Sequence, residues 1–326
     1  MNDEMRVYQD SVMKILVLDY FPAEEGWLIE RYKAVGNNNT QLGGIMIRRS
    51  KIEHLVSLED IRKYYEAGYN AEATAQEICG DYINKFIERK MFQSLDRECF
   101  KNFEDMKDKI CYRVINAKLN QNIDAPYIPI SDDLMMTFFI HYQFNKDIFE
   151  VINIDNNFIK MWNLENVEST LYCLAEENTK RIYPVRMMPL LDYFKECFPI
   201  EIYESLKRQG IKEGEDPIYL LTNLYRVNGA GVVAYGKGET LYECMKQIEA
   251  EIGTATKGMY ILPMSIKEVF IIPDTGRYTI SDVREMIKTS KDGENDFENF
   301  LSDNVFYYDD EKGFTQLTFI NREICR

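Results

Sequence analysis

The sequence predicts an α+β protein in which a helix-rich N-terminal part is followed by repeated ββα units. Short strand patterns recur in pairs with short connections, which is typical of antiparallel sheets. In the later part of the chain each pair is followed by a helical pattern, and this order occurs about three times. The chain is 45% apolar and 13% aromatic over 326 residues, so it can bury a large core. We therefore expect a mainly antiparallel sheet with helices packed on it.

The first predicted domain spans residues 1–122 and combines helices with one strand pair. Apolar residues at helical spacing and a Ser57 cap, with the carboxylate of Asp60 three residues later, indicate its helices. The predicted helices are Asp3–Tyr20, a segment that begins after Ser57, Ala71–Arg89 and Phe103–Leu119. The predicted strands, separated by a turn rich in Gly and Asn, are Trp27–Val35 and Gly44–Arg48.

The second predicted domain spans residues 123–326 and begins after a connection marked by Pro126 and Pro129. Its predicted strands are Leu134–Gln143, Ile148–Ile154, Ile218–Thr222, Ala230–Tyr235, Met259–Leu262, Val269–Ile272, Val305–Tyr308 and Gln316–Phe319. Its predicted helices are Asn156–Trp162, Val167–Ile182, Met187–Gln209, Thr240–Ile252 and Ile280–Lys288. The Gly-rich link after the third helix suggests a further boundary near residues 210–216. The ββα units share their order but no obvious residue identity, so the repeat is architectural.

The charge balance excludes several classes of partner. The chain has 39 Lys and Arg against 54 Asp and Glu, which gives a net charge of −15. Binding of nucleic acid through a broad basic face is therefore not expected, and an anionic membrane surface would repel the chain. No stretch approaches the roughly 18 uncharged apolar residues of a membrane span, and the N-terminus is acidic rather than signal-like. We expect a cytoplasmic protein.

Metal and cofactor chemistry has little support in the sequence. The seven cysteines include no C-x-x-C pair, and the chain has two histidines. Zinc ribbons and thioredoxin-like sites need close cysteine pairs, so we expect reduced thiols, no metal site and no cofactor. Of the two histidines, His141 lies in an apolar strand, where a hydrogen-bonded sheet residue is expected rather than a catalytic one.

A glycine-rich stretch partly matches two phosphate-binding patterns. From Gly231 the chain reads G-x-x-x-x-G-K up to Lys237, but Gly238 stands where a P-loop has Ser or Thr. From Gly229 it also fits G-x-G-x-x-A, whose helix would have to open inside the motif. The intervening residues are β-forming, so the sequence predicts a strand between turns rather than a nucleotide site.

A polar turn between two apolar strands is the second candidate. It offers the hydroxyl of Ser265, the amine of Lys267 and the carboxylate of Glu268 at a tight connection. Together with Asn223 these residues are the predicted ligand-binding residues. An ordinary polar hairpin turn remains the alternative interpretation.

Several segments, in order along nearly the whole chain, carry a family resemblance. They are Gly44–Arg48, Lys109–Asn116, Met161-Trp162, Leu171–Thr179, Tyr219–Asn223, Gly229-Ala230, Tyr260–Val269 and Leu301–Asp309. The chain resembles a bacterial family, mostly from clostridial gut-type organisms, that is catalogued as domain of unknown function 5688.

The resemblance implies no reaction, because the family has none assigned. The family pattern has no fixed Gly-Lys pair after Gly229-Ala230. The resemblance therefore implies that the P-loop-like position of Lys237 is incidental. Its turn usually reads Ser-Ile-His-Glu, whereas Lys267 stands in the third position here. A protonated lysine is a poor metal ligand, so this departure weakens the case for catalysis at the turn.

Two functional hypotheses follow. The first, which we favour, is a non-enzymatic binding or regulatory protein that recognises a protein or a small ligand through its sheet and helical faces. The alternative is a nucleotide-dependent or hydrolytic enzyme that uses the Gly231–Lys237 segment or the Ser265–Glu268 turn. The absence of a complete catalytic motif favours the first hypothesis.

Overall fold

The structure is a computed structural model that describes residues 3–49, 52–88, 100–143, 149–197, 200–201, 203–204, 218–291 and 298–317. The chain divides into two compact units, Met1–Lys101 and Asn102–Arg326. Residue 122, the predicted domain boundary, lies inside the second unit, where the strand before it pairs with a strand after it. The predicted sub-boundary near residues 210–216 lies outside the described residues. Helices and antiparallel sheets confirm the α+β class.

The first unit packs helices on a three-stranded antiparallel sheet of order β1-β2-β3. Its strands are β1 (Trp27–Val35), β2 (Gln41–Arg49) and β3 (Ile52–Ser57). Its helices are α1 (Asp3–Ile15), continued by a π-helix (Leu16–Tyr20), α2 (Leu58–Glu66) and α3 (Ala71–Glu88). The expected cap is present, because the Ser57 hydroxyl oxygen accepts a hydrogen bond from the Asp60 amide at 3.0 Å. The sequence did not predict β3.

The second unit begins with a sheet in which β6 is the central strand. Its strands are β4 (Ile110–Asn116), β5 (Tyr127–Pro129), β6 (Leu134–Gln143) and β7 (Phe149–Asn153). One edge of β6 pairs with β4, while β5 and β7 also pair with β6, and every pairing is antiparallel. The helices of this part are α4 (Phe103–Met106), α5 (Asn156–Trp162) and α6 (Val167–Ile182).

The predicted helix Phe103–Leu119 is wrong over most of its length, because β4 occupies its second half. Six of the seven residues of β4 are buried, so the strand is covered on both faces. Such a run carries no alternation of period two and can be read as a buried helix segment.

The second sheet of this unit has six strands in the order β13-β12-β10-β11-β9-β8, all antiparallel to their neighbours. The strands are β8 (Val185–Pro189), β9 (Tyr219–Asn223), β10 (Met259–Leu262), β11 (Val269–Pro273), β12 (Phe306–Asp309) and β13 (Gly313–Gln316). The helices are α7 (Leu190–Cys197), a 3₁₀ helix (Gly229–Gly238), α8 (Glu239–Ile252) and α9 (Ile280–Lys291). The repeat of ββα units stays a prediction.

The structure contradicts two further predictions. The predicted helix Met187–Gln209 starts too early, because its first residues belong to β8, and most of its second half lies outside the described residues. The predicted strand Ala230–Tyr235 is part of the 3₁₀ helix. Residues of that helix contact both β9 and β4, so it lies between the two sheets. This packing overrides the strand preference of its valines.

The two faces of the six-stranded sheet are covered differently. On one face, Tyr260, Leu262 and Ile272 pack against Val283 and Ile287 of α9. Residues that alternate with them along β10 and β11 point to the other face, and they are fully buried. The helix α9 therefore covers part of the first face. Among the described residues, no helix is both long and apolar enough to cross a membrane.

Candidate functional site

The four predicted site residues lie at one end of the six-stranded sheet. They are Asn223, Ser265, Lys267 and Glu268. Because β9 pairs with β11, the last residues of β9 lie beside the turn that precedes β11. The Thr222 hydroxyl donates a hydrogen bond to the carbonyl oxygen of Lys267 at 2.7 Å. The structure therefore places Asn223 next to the turn.

Local hydrogen bonds engage the polar side chains of Asn223, beside the turn, and Ser265, within it. Asn223 is 1% exposed, and its Nδ2 donates to the carbonyl of Val227 at 2.7 Å. Its Oδ1 accepts from the amides of Tyr225 at 3.1 Å and Val227 at 3.3 Å. The Ser265 hydroxyl oxygen accepts from the Lys267 amide at 3.1 Å. These bonds stabilise the turns themselves, so they argue for the structural interpretation of this region.

Gly229 fixes the 3₁₀ helix against the same turn. A Cβ at this position would lie 2.0 Å from the Lys267 carbonyl oxygen and 2.0 Å from the Thr222 hydroxyl oxygen. The next amide, of Ala230, donates to the carbonyl of Ile266 at 3.1 Å. Only glycine permits this approach of two backbone segments.

The glycine-rich stretch does not have the geometry of a phosphate loop. Val232 and Val233 are at most 2% exposed, and the Gly231 amide is bonded to the Asn228 carbonyl at 3.1 Å. A phosphate loop needs consecutive amides that point at the ligand. The side chain of Lys237 lies outside the described residues.

The open part of the sheet face beside α9 forms a groove with a volume of about 480 Å³. We call it the sheet groove. Its floor consists of Leu262 and Ile272, which are buried in β10 and β11. The half-buried residues of its wall are Leu190, Ile218, Met264, Phe270 and Met286. None of the predicted site residues lines it.

Two carboxylates on α9, Asp282 and Glu285, complete the lining at the rim. Both side chains are exposed. The Asp282 carboxylate accepts hydrogen bonds from the Thr279 hydroxyl and amide, both at 2.7 Å. These bonds hold the pKa of Asp282 below its usual range, so the carboxylate stays ionised. The groove is therefore apolar inside and negative at its edge.

A family model described as "Family of unknown function (DUF5688)" matches residues 8–310. The chain belongs to this family. The match reaches both compact units, and it confirms at the family level the resemblance found in the sequence. No curated protein and no solved structure matched the chain. Membership of DUF5688 therefore brings no activity with it, and functional arguments rest on the geometry of the site.

A buried carboxylate just before β6, which the sequence did not single out, supports the turn between β10 and β11 of this DUF5688 protein. Asp133 is 2% exposed and accepts from the Ser302 hydroxyl at 2.7 Å. It also accepts from the Asn304 amide and pairs with the ammonium of Lys118. Burial alone would raise the pKa of Asp133, but these three partners lower it overall.

Segment 301–304 connects this carboxylate to the turn. The amide of Ser302 donates to the carbonyl of Pro263 at 2.8 Å, and that of Leu301 to the carbonyl of Met264 at 3.1 Å. Asn116, at the end of β4, donates to the Leu301 carbonyl at 2.6 Å. The hydrogen bonds of this network join protein groups to one another, so we assign it a structural role.

His141, on β6, is hydrogen-bonded, as its place in an apolar strand suggested, and its partner is Tyr183 at the end of α6. Its Nδ1 lies 2.7 Å from the Tyr183 hydroxyl, and its ring stacks on Phe149 with centroids 4.8 Å apart. Burial, and then the charge of Arg181, lower the pKa of His141, so its neutral form is favoured. The described residues contain no group of three or more potential metal ligands.

Proposed function

We propose that this DUF5688 protein is a non-enzymatic binding protein that takes an apolar ligand with a positively charged group into the sheet groove. The observation that carries the proposal is the part of the sheet face beside α9 that the described residues leave uncovered. Seven of the nine lining residues are apolar. An apolar surface left open at a sheet face is most often a binding site.

The size and charge of the groove define the class of ligand. A volume of about 480 Å³ lies within the range of small-molecule sites, roughly 300–1,000 Å³. Asp282 and Glu285 favour a cationic group at the rim, and the net charge of −15 favours approach of cations in general. An amphipathic amine matches the groove, because its apolar part fits the floor and wall and its cationic group fits the rim.

The lining supports binding better than catalysis. Its two carboxylates lie three residues apart on one helix and are solvent-exposed. No serine, cysteine, histidine or lysine is among the nine lining residues, so the groove itself offers no nucleophile with a neighbouring base.

We further propose that the protein belongs to the cytoplasm of a bacterium. The resemblance to a mostly clostridial family supports the source. The acidic composition supports the compartment, as do the free thiols of Cys79, Cys111 and Cys244.

Isothermal titration with octylamine, octanol and octanoate tests the proposal. We expect octylamine to bind most tightly and octanoate most weakly, because the rim is negative. Glu285→Gln should weaken octylamine binding about two- to fivefold, since an exposed ion pair contributes up to about 1 kcal/mol, and should leave octanol unchanged. Met286→Trp should weaken all three by filling the groove.

Glu243→Gln, on the exposed surface of α8, is the matched control and should bind like the wild type. Equal affinity for octanoate and octylamine would refute the role of the rim. Unchanged binding to Met286→Trp would refute the groove as the site.

A further inference from the structure

A row of three hydrogen-bond donors crosses one face of the β4–β6–β5 sheet. Arg113 on β4 is opposite Thr137 on β6, and Thr137 is opposite Tyr127 on β5. Directly paired residues of an antiparallel sheet point to the same face. A guanidinium, a hydroxyl and a phenol therefore stand side by side, and we call them the donor row.

The guanidinium extends along this row. Its Nε lies 3.5 Å from the Thr137 hydroxyl oxygen, one strand away from its own Cα. Thr137 is 2% exposed, whereas Tyr127 is 48% exposed on the edge strand β5. Neighbouring strands are about 4.8 Å apart, so Tyr127 is the next residue of the row beyond the guanidinium.

The positive charge of Arg113 has no carboxylate partner among the described residues, where Thr137 supplies its hydrogen bond. This is unexpected in a chain with 54 acidic residues. Arg186, by comparison, donates two hydrogen bonds to Glu196, at 2.8 and 2.6 Å. Arg113 is half-buried, and burial lowers its pKa without any opposing carboxylate. A buried charge without a counter-charge destabilises the fold.

The rows on either side are apolar. Cys111 and Phe139 form one of them, and Ile115 and Met135 form the other. All four side chains are at most 3% exposed. Apolar surroundings strengthen the interaction of the guanidinium with any anion that reaches it.

We infer that the donor row binds a small oxyanion, the phosphate or carboxylate group of a metabolite-sized ligand, at a site separate from the sheet groove. Arg113 supplies two parallel N–H donors, which match the two oxygens of such a group, and the Tyr127 hydroxyl supplies a third donor. The bound anion neutralises the guanidinium. A polyanion such as nucleic acid would be repelled by the overall charge of −15.

Thermal unfolding tests this site, with inorganic phosphate and citrate as probes and sodium chloride at equal ionic strength as reference. We expect phosphate or citrate to raise the Tm of the wild type, and the stronger of the two identifies the preferred group. Without anion, Arg113→Met should have a higher Tm than the wild type, because an unpaired charge is removed. Phosphate and citrate should no longer raise the Tm of this variant. Arg113→Lys, without the planar fork, should keep a smaller shift.

Arg186→Met removes a paired arginine and is the matched control, which should respond to the anions like the wild type. A lower Tm of Arg113→Met without anion would show that the guanidinium is structural and would overturn the proposal. It would also be overturned by an anion shift that persists in Arg113→Met, or by a wild type that responds to neither anion beyond chloride.

Discussion

The sheet groove differs from the turn between β10 and β11. The polar groups at the turn have hydrogen-bond partners, whereas apolar side chains of the groove stay partly exposed. Asn223 beside the turn and Ser265 within it are hydrogen-bonded to backbone groups within a few residues. In the groove, Phe270 and Met286 remain half-exposed although they are apolar. Polar residues at a tight connection therefore indicate architecture when their partners are internal. We infer that the binding site is better indicated by the apolar surface that the described residues leave uncovered.

The largest expected effect on stability is that of Gly229→Ala, where the 3₁₀ helix packs against the turn. This variant should lower the free energy of unfolding by about 3 kcal/mol. The added Cβ would meet the Lys267 carbonyl oxygen and the Thr222 hydroxyl at 2.0 Å, and a backbone group cannot move aside cheaply. Urea denaturation measures the change.

Gly231→Ala is the control two residues along the same helix, since its Cβ would make an ordinary contact with the Tyr112 ring at 3.6 Å. We expect it to change the free energy of unfolding by about 0.5 kcal/mol or less. Equal effects of the two variants would contradict the close approach at the turn.

A smaller effect on stability is expected at Asp133, which supports the turn between β10 and β11 through segment 301–304. Asp133→Ala should lower the free energy of unfolding by about 2 kcal/mol, because Ser302 and Asn304 lose a charged acceptor. Lys118 is 58% exposed and can be hydrated, which limits the loss.

The preceding residue provides the control for this prediction. Asp132 is exposed, so Asp132→Ala should stay within about 0.5 kcal/mol of the wild type in the same denaturation experiment. A loss at Asp132 as large as that at Asp133 would show that the buried network contributes nothing specific.

Local patterns predicted most of the fold. The Ser57 cap, the helix Val167–Ile182 and the apolar strands Met259–Leu262 and Val269–Ile272 agree with the structure, because each carries its signal in its own residues. The failures at residues 110–116 and 230–235 both involve burial by distant parts of the chain. Six of the seven residues of β4 are buried and so reveal no period, and Ala230, Val232 and Val233 are buried in a 3₁₀ helix despite the strand preference of valine.

Little of the candidate sites could be predicted from the sequence. The groove joins Leu190, Ile218 and Phe270 with residues of α9, and nothing local marks these apolar side chains as uncovered. Similarly, Arg113 lies in an ordinary apolar run, and only the assembled sheet shows that no carboxylate among the described residues pairs with it. The polar residues of the turn were predicted as a site because the sequence shows polar side chains but does not show their hydrogen-bond partners.

The central claim is that the protein binds ligands in the sheet groove and not at the turn. Methyl NMR of protein labelled at its Met and Ile methyl groups, titrated with octylamine, tests it most directly. Ile218, Ile272 and Met286 report on the groove, and Ile266 reports on the turn. We predict intermolecular NOEs from the octyl chain to the three groove methyls and none to Ile266. NOEs to Ile266, or none to the groove methyls at saturating octylamine, would contradict the account.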